Sequence, residues 1–161
     1  MATPETTANN EGDFSPQRIE ANVAALAKKL EENPNDASGW MMLGRSYSSL
    51  KKYSEASTAY KKATELKPDD ADLLADYAFV LAIANGKRLA GEPTEIIKRG
   101  LKLDPENPKI LQLAGSAAFE ANDFQSAIKH WEKVLNKAGD DPEISRVLTE
   151  RIAEAKKQLK Q

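Results

Sequence analysis

The sequence predicts an all-α fold, a solenoid of paired antiparallel helices, on three observations. The first is a recurring signature. Trp40, Leu43, Gly44, Tyr47, Ala56, Tyr60, Ala63 and Pro68 fit one helix–turn–helix unit. Leu43, Gly44 and Tyr47 have counterparts at Tyr77, Ala78 and Leu81, and Gly44, Ala56 and Tyr60 at Gly115, Ala127 and Trp131. The second is punctuation. Lys67-Pro68-Asp69-Asp70 and Asp104-Pro105-Glu106-Asn107 separate hairpins, and Lys51-Lys52 and Asn122-Asp123 turn the chain within them. The third is composition: 30% charged and only 6% aromatic residues suit shallow two-layer packing of helices.

The signature is that of the tetratricopeptide repeat (TPR), a helical hairpin of about 34 residues. Each element follows from local chemistry. Residues 1–14 are small and polar, without periodicity, and read as a disordered tail. Ser15 and Pro16 supply an N-cap and a first-turn proline, and Ile19, Val23, Leu26 and Leu30 form an apolar stripe. This N-terminal helix ends near Asn33, because a residue before proline resists the helical conformation. Three repeats follow at about 37–70, 71–107 and 108–141. Their helices are expected at Ala37–Leu50 and Tyr53–Leu66, at Ala71–Ala84 and Pro93–Leu103, and at Pro108–Ala121 and Phe124–Lys137. A capping helix at about 142–160 closes the domain, which spans 15–160. Its stripe is Ile144, Val147, Leu148, Ile152, Ala155 and Leu159, and Lys156, Lys157 and Lys160 sit where the helix dipole favours cations.

The middle repeat departs from the pattern. Pro68 and Pro105 are more than one regular period apart while Ala78 is still in phase with Gly44, so the additional residues lie later, in the stretch from Asn85 to Glu92.

Several functions are excluded or disfavoured. A net charge of −2 without clustered Lys and Arg argues against nucleic acid. The absence of cysteine removes disulfides, thiolate metal sites and Cys nucleophiles. No run is apolar enough to span a bilayer, so direct membrane insertion by this segment is not expected. Met1–Asp13 does not read as a signal peptide, leaving either a cytoplasmic protein or a soluble domain separated from its targeting segment. His130, the single histidine, reads as structural, and neither a Gly-rich phosphate loop nor a metal-ligand cluster occurs. No catalysis, cofactor or metal is expected.

The expected function is binding. Trp40, Leu43, Gly44 and Tyr47 share an inward face, Gly44 and Gly115 permit close helix approach, and Trp40 and Trp131 anchor the core. The adjoining stripe of the first helices carries Met41, Arg45 and Ser48, then Ala75, Phe79 and Ala82, then Gln112, Ser116 and Phe119; Asp72, Asp76 and Ile83 flank it. Apolar residues spaced by polar ones suit a groove for an amphipathic helix. The candidate peptide-binding residues are Met41, Arg45, Ser48, Asp76, Phe79, Ala82, Ile83, Gln112, Ser116 and Phe119. The alternative is that the C-terminal helix folds back over them.

A narrower resemblance lies in the second half. Leu89-Ala90-Gly91-Glu92-Pro93, Leu101-Lys102-Leu103-Asp104-Pro105, Leu113-Ala114-Gly115, Ala118-Phe119 and Ala127-Ile128-Lys129-His130-Trp131-Glu132, with the enlarged middle loop, resemble the periplasmic TPR domain of cytochrome c maturation factors, the CcmI/CycH/NrfG group. The resemblance covers about residues 16–160. It implies a periplasmic, non-catalytic domain, possessed by proteins tethered at or acting beside the inner membrane. It implies that the domain holds the C-terminal helix of an apocytochrome c for haem ligation, alongside other maturation proteins. The alternative is a generic TPR scaffold for another assembly. A co-chaperone clamp for a terminal carboxylate is disfavoured: its places fall on Met41, Arg45, Asp76, Lys109 and Leu113, of which only Lys109 agrees.

Overall fold

A computed structural model describes residues 15–161. The expected disordered tail, 1–14, lies outside the described residues. Among the described residues there are eight helices and no strand: α1 (Pro16–Glu32), α2 (Ala37–Ser49), α3 (Tyr53–Leu66), α4 (Ala71–Ala84), α5 (Glu92–Leu103), α6 (Pro108–Glu120), α7 (Phe124–Lys137) and α8 (Pro142–Leu159). Helices α2/α3, α4/α5 and α6/α7 form the three hairpins, between the single helix α1 and the cap α8.

Helix starts are set by caps. Side chains of Ser15, Asp36, Asp70, Asn107, Asp123 and Asp141 accept from backbone N–H groups of the turn that follows. Each such cap is worth about 1 kcal/mol. Helix α5 begins one residue before Pro93, at Glu92, because Gly91 (φ 90°) serves as its N-cap. Helices α2 and α6 stop one residue short of the expected Leu50 and Ala121, which become C-caps.

The turns inside the hairpins share one solution. Lys51, Gly86 and Asn122 each adopt positive φ (59°, 75° and 62°) just past a helix end. Lys52 N–H and Asp123 N–H then reach back to the carbonyls of Tyr47 and Ala118, the pattern of a left-handed helix terminus. The middle hairpin begins the same way at Gly86 but continues through Lys87, also at positive φ (66°), so its return bond spans one residue more, from Arg88 N–H to Ala82 O.

The core is in two parts. Trp40, Leu43, Tyr60, Leu73, Leu74, Tyr77, Ile96 and Ile110 belong to the larger. Leu111, Ala127, Trp131, Val134, Leu148 and Ile152 form the smaller, under the cap. Adjacent Ile110 and Leu111 thus face different clusters, which makes α6 the helix that joins them. Helix α4 is buried on most of its circumference, as befits the central element of a solenoid.

The two glycines expected at helix crossings, Gly44 and Gly115, are explained. A Cβ on Gly44 would lie 2.9 Å from the Tyr60 ring, and one on Gly115 would lie 2.2 Å from Trp131 Nε1. The two indoles are buried, donating Nε1–H to Pro34 O (2.8 Å) and Gln112 O (3.3 Å).

Two expected stripes are only partly covered. Ile19 on α1 and Ile144 and Leu159 on α8 are exposed. At 18 residues α8 is longer than the 14-residue α7 beneath it, so the ends of its stripe have less to pack on.

Candidate functional site

Helix α4 displays one large apolar side chain to solvent: Phe79 is 52% exposed, although its neighbours Tyr77, Ala78 and Val80 are buried. It stands in a trough of about 580 Å³ built from four parts of the chain. Helix α4 supplies Asp76, Phe79, Ala82 and Ile83; α6 supplies Lys109, Gln112, Leu113 and Ser116; the loop before α5 supplies Lys87 and Leu89. Arg151, from α8, closes the far end. The helical spacing of Phe79, Ala82 and Ile83 places them on one face, and the same holds for Gln112 and Ser116.

The enlarged loop forms the rim, and it is fastened from the third repeat. The Glu120 carboxylate accepts from Leu89 N–H (2.9 Å) and Ala90 N–H (3.1 Å). Thr94 Oγ1 donates to Leu89 O (2.6 Å) from the other side. These bonds set Leu89 where it packs on the core and also lines the trough.

Beyond Arg151 lies a second, smaller hollow of about 300 Å³, lined by Ser116, Phe119, Trp131, Arg151 and Glu154. Ser116 and Arg151 border both spaces. The Arg151 guanidinium sits 5.9 Å from the centroid of the Trp131 ring and donates a long hydrogen bond, 3.4 Å, to Ser116 Oγ.

Of the sequence-predicted residues, Asp76, Phe79, Ala82, Ile83, Gln112 and Ser116 come together around the trough. Phe119 does not join them. It packs edge-on to Phe124 (5.2 Å between centroids) and tilts against Trp131 (5.9 Å), facing the second hollow. Met41 packs on the main core, Arg45 is exposed, and Ser48 bonds its own helix at Gly44 O. These three belong to the first hairpin and do not line the trough. The cap does not cover Phe79 or Ile83; it reaches the trough only through Arg151.

Sequence reasoning missed Lys87, Leu89 and Arg151 as lining residues, and considered Lys109 and Leu113 only as places of a carboxylate clamp. The two-glycine loop pointed to the first pair. Nothing local to α8 distinguishes Arg151 from its other exposed cations.

Electrostatics separate this trough from a carboxylate clamp. Lys109 Nζ is paired with Asp76 Oδ1 at 3.2 Å, so the one matching clamp residue is already neutralised. Asp72, alongside, accepts from Asn107 Nδ2 (2.8 Å) and braces α6 against α4.

His130 lies outside the trough, half-buried on α7, with Nδ1 buried and unpartnered. Burial, aided by Lys133 and Lys129 and opposed by Asp123, pushes its pKa down. Among the described residues, no group of three or more His, Cys, Asp or Glu is placed to hold a metal, and no helix is long and apolar enough to cross a membrane.

Residues 5–144 match the family described as cytochrome c-type biogenesis protein H TPR domain. The chain is 30% identical over 122 residues to the cytochrome c-type biogenesis protein CycH of Pseudomonas aeruginosa, covering 76% of this chain and 30% of that protein. It is 33% identical over 143 residues to the formate-dependent nitrite reductase complex subunit NrfG of Escherichia coli O157:H7, covering 88% and 71%. It is 32% identical over 137 residues to the cytochrome c-type biogenesis protein CcmH of Escherichia coli K12, covering 83% and 38%. The chain thus spans about a third of the CycH and CcmH relatives and most of NrfG. Among solved structures, MamA superposes with a TM-score of 0.68 at 17% identity, covering 89% of this chain and 80% of that one. The first TPR of Spaghetti (RPAP3), bound to an HSP90 peptide, gives 0.67 at 22%, covering 78% and 94%. At these identities the two likenesses concern the fold.

Proposed function

Because this chain belongs to the TPR family of cytochrome c-type biogenesis proteins, we propose that its trough holds the C-terminal helical segment of an apocytochrome c during haem ligation. The observation that carries the reading is Phe79, a large apolar side chain left half-uncovered in a roomy hollow with polar groups on its margin. An amphipathic helix needs such an arrangement: an apolar floor to anchor in and a few polar contacts to orient it. The domain binds and presents; the chemistry of thioether formation belongs to other maturation proteins. The proposed setting is the periplasm, a reading supported by the likeness to cytochrome c-type biogenesis proteins.

The test is calorimetric titration with a peptide from the C-terminal helix of a c-type apocytochrome. A scrambled peptide of the same composition and the folded holocytochrome serve as controls. Binding of the native-order peptide alone is the expected result. Equal affinity for the scrambled peptide, or a preference for the holoprotein, overturns the reading.

A further inference from the structure

Resting on that reading, we propose that the trough selects helices carrying a side-chain carboxylate between two apolar anchors, and that Arg151 is the residue that reads it. The first support is position. Arg151 stands at the boundary of two hollows, with Phe79 in one and Phe119 and Trp131 in the other. A helix lying across both sets apolar side chains on either side of the guanidinium. The group that meets it is then internal to the helix, a Glu or Asp side chain rather than a chain terminus.

The second support is charge. The trough is lined by three cations, Lys87, Lys109 and Arg151, against one acid, Asp76. Asp76 is committed to Lys109. Neither Lys87 nor Arg151 takes part in a salt bridge among the described residues. The neighbouring acid in the second hollow, Glu154, accepts from Gln158 Nε2 at 2.8 Å. The lining therefore has positive charge in excess and favours an acidic occupant.

The third support is preorganisation. Stacking on Trp131 and the bond to Ser116 Oγ already orient the Arg151 fork, so less side-chain freedom is lost when a carboxylate docks. Arginine suits the task because its planar donors match a carboxylate in two-point fashion.

The experiment uses a capped amphipathic helical peptide, acetylated and amidated, with one Glu a helical turn from a Leu on each side. Anisotropy titrations compare it with its Glu-to-Gln form on the wild-type chain and on Arg151→Gln. Arg151 is exposed, and circular dichroism checks that the variant is folded. The Gln peptide is expected to bind the wild type about five- to tenfold more weakly, and Arg151→Gln is expected to show less than a twofold difference. Arg151→Glu should in turn favour a peptide with Lys at that place. An equal Glu preference in both backgrounds, or none in either, overturns the proposal while leaving the trough's general role intact. If a free C-terminal carboxylate on the Gln peptide restores Arg151-dependent affinity, the assignment to a side chain is overturned. If no peptide binds the wild type, this proposal and the reading beneath it both fail.

Discussion

Replacing Phe79 and Phe119 separately by alanine distinguishes a binding residue from a packing residue, although both occur on the same periodic stripe. Fully burying a Phe side chain is worth about 1.5–3 kcal/mol. Phe79 is 52% exposed, so an occupant covering the remainder gains roughly half of that, about 0.8–1.5 kcal/mol. Phe79→Ala should therefore weaken peptide binding by about four- to twelvefold. The folded state loses only the half already covered, and alanine's helix preference returns about 0.5 kcal/mol. The net stability loss should stay below about 1 kcal/mol. Phe119 contacts both Phe124 and Trp131, and each aromatic pair adds about 0.5–1.5 kcal/mol beyond area. Phe119→Ala should then cost about 2–3 kcal/mol of stability. Urea unfolding and calorimetric titration of the two variants decide the matter. If Phe79→Ala binds as the wild type does, while Phe119→Ala leaves stability untouched and abolishes binding, the roles have been assigned the wrong way round.

Three further outcomes follow from the same geometry. Gly115→Ala should destabilise by about 1–2 kcal/mol in urea, because the clash with the rigid, buried Trp131 ring outweighs the helix-propensity gain of about 1 kcal/mol; a more stable variant would show that the indole moves aside freely. Glu120→Ala removes the acceptor of two loop N–H groups and should speed hydrogen exchange at Leu89 and Ala90 and lower peptide affinity, with far-ultraviolet dichroism unchanged; unaltered exchange at those amides would show that the carboxylate does not fasten the loop. His130 has a folded-state pKa below its unfolded value, so the unfolded chain binds the extra proton more readily and stability falls as pH drops below about 6.5. His130→Met should flatten that part of the pH–stability profile, and an unchanged slope would assign it to other groups.

The helices were legible because their causes are local. Ser15, Asp36, Asp70, Asn107, Asp123 and Asp141 cap their own following turns, and prolines at Pro16, Pro108 and Pro142 stand in the first turns they start. Gly44 and Gly115 were readable for a related reason: the repeat fixes which helix lies across from them, so the need for a missing Cβ follows from spacing. The candidate site was legible only in part. Asp76, Phe79, Ala82, Ile83, Gln112 and Ser116 were reachable from helical phase on α4 and α6. Met41, Arg45, Ser48 and Phe119 share that phase and still lie elsewhere, since phase gives a direction around a helix and says nothing of what stands opposite.

By itself the sequence determined that the chain is a stack of helical hairpins, where seven of the eight described helices start, and that the middle hairpin carries extra residues. Caps, turn formers and apolar period act over a few residues, and so they are written along the chain. Only the tertiary structure decided that the extra loop is fastened by Glu120, that Phe119 is claimed by Phe124 and Trp131, and that Arg151 arrives from the last helix to divide the hollow in two. The Phe119 contacts lie within one hairpin, but the Glu120 and Arg151 hydrogen bonds join residues thirty or more positions apart and depend on how each hairpin is rotated against the next. That rotation is settled by the packing of whole faces, so no short stretch of the sequence encodes it.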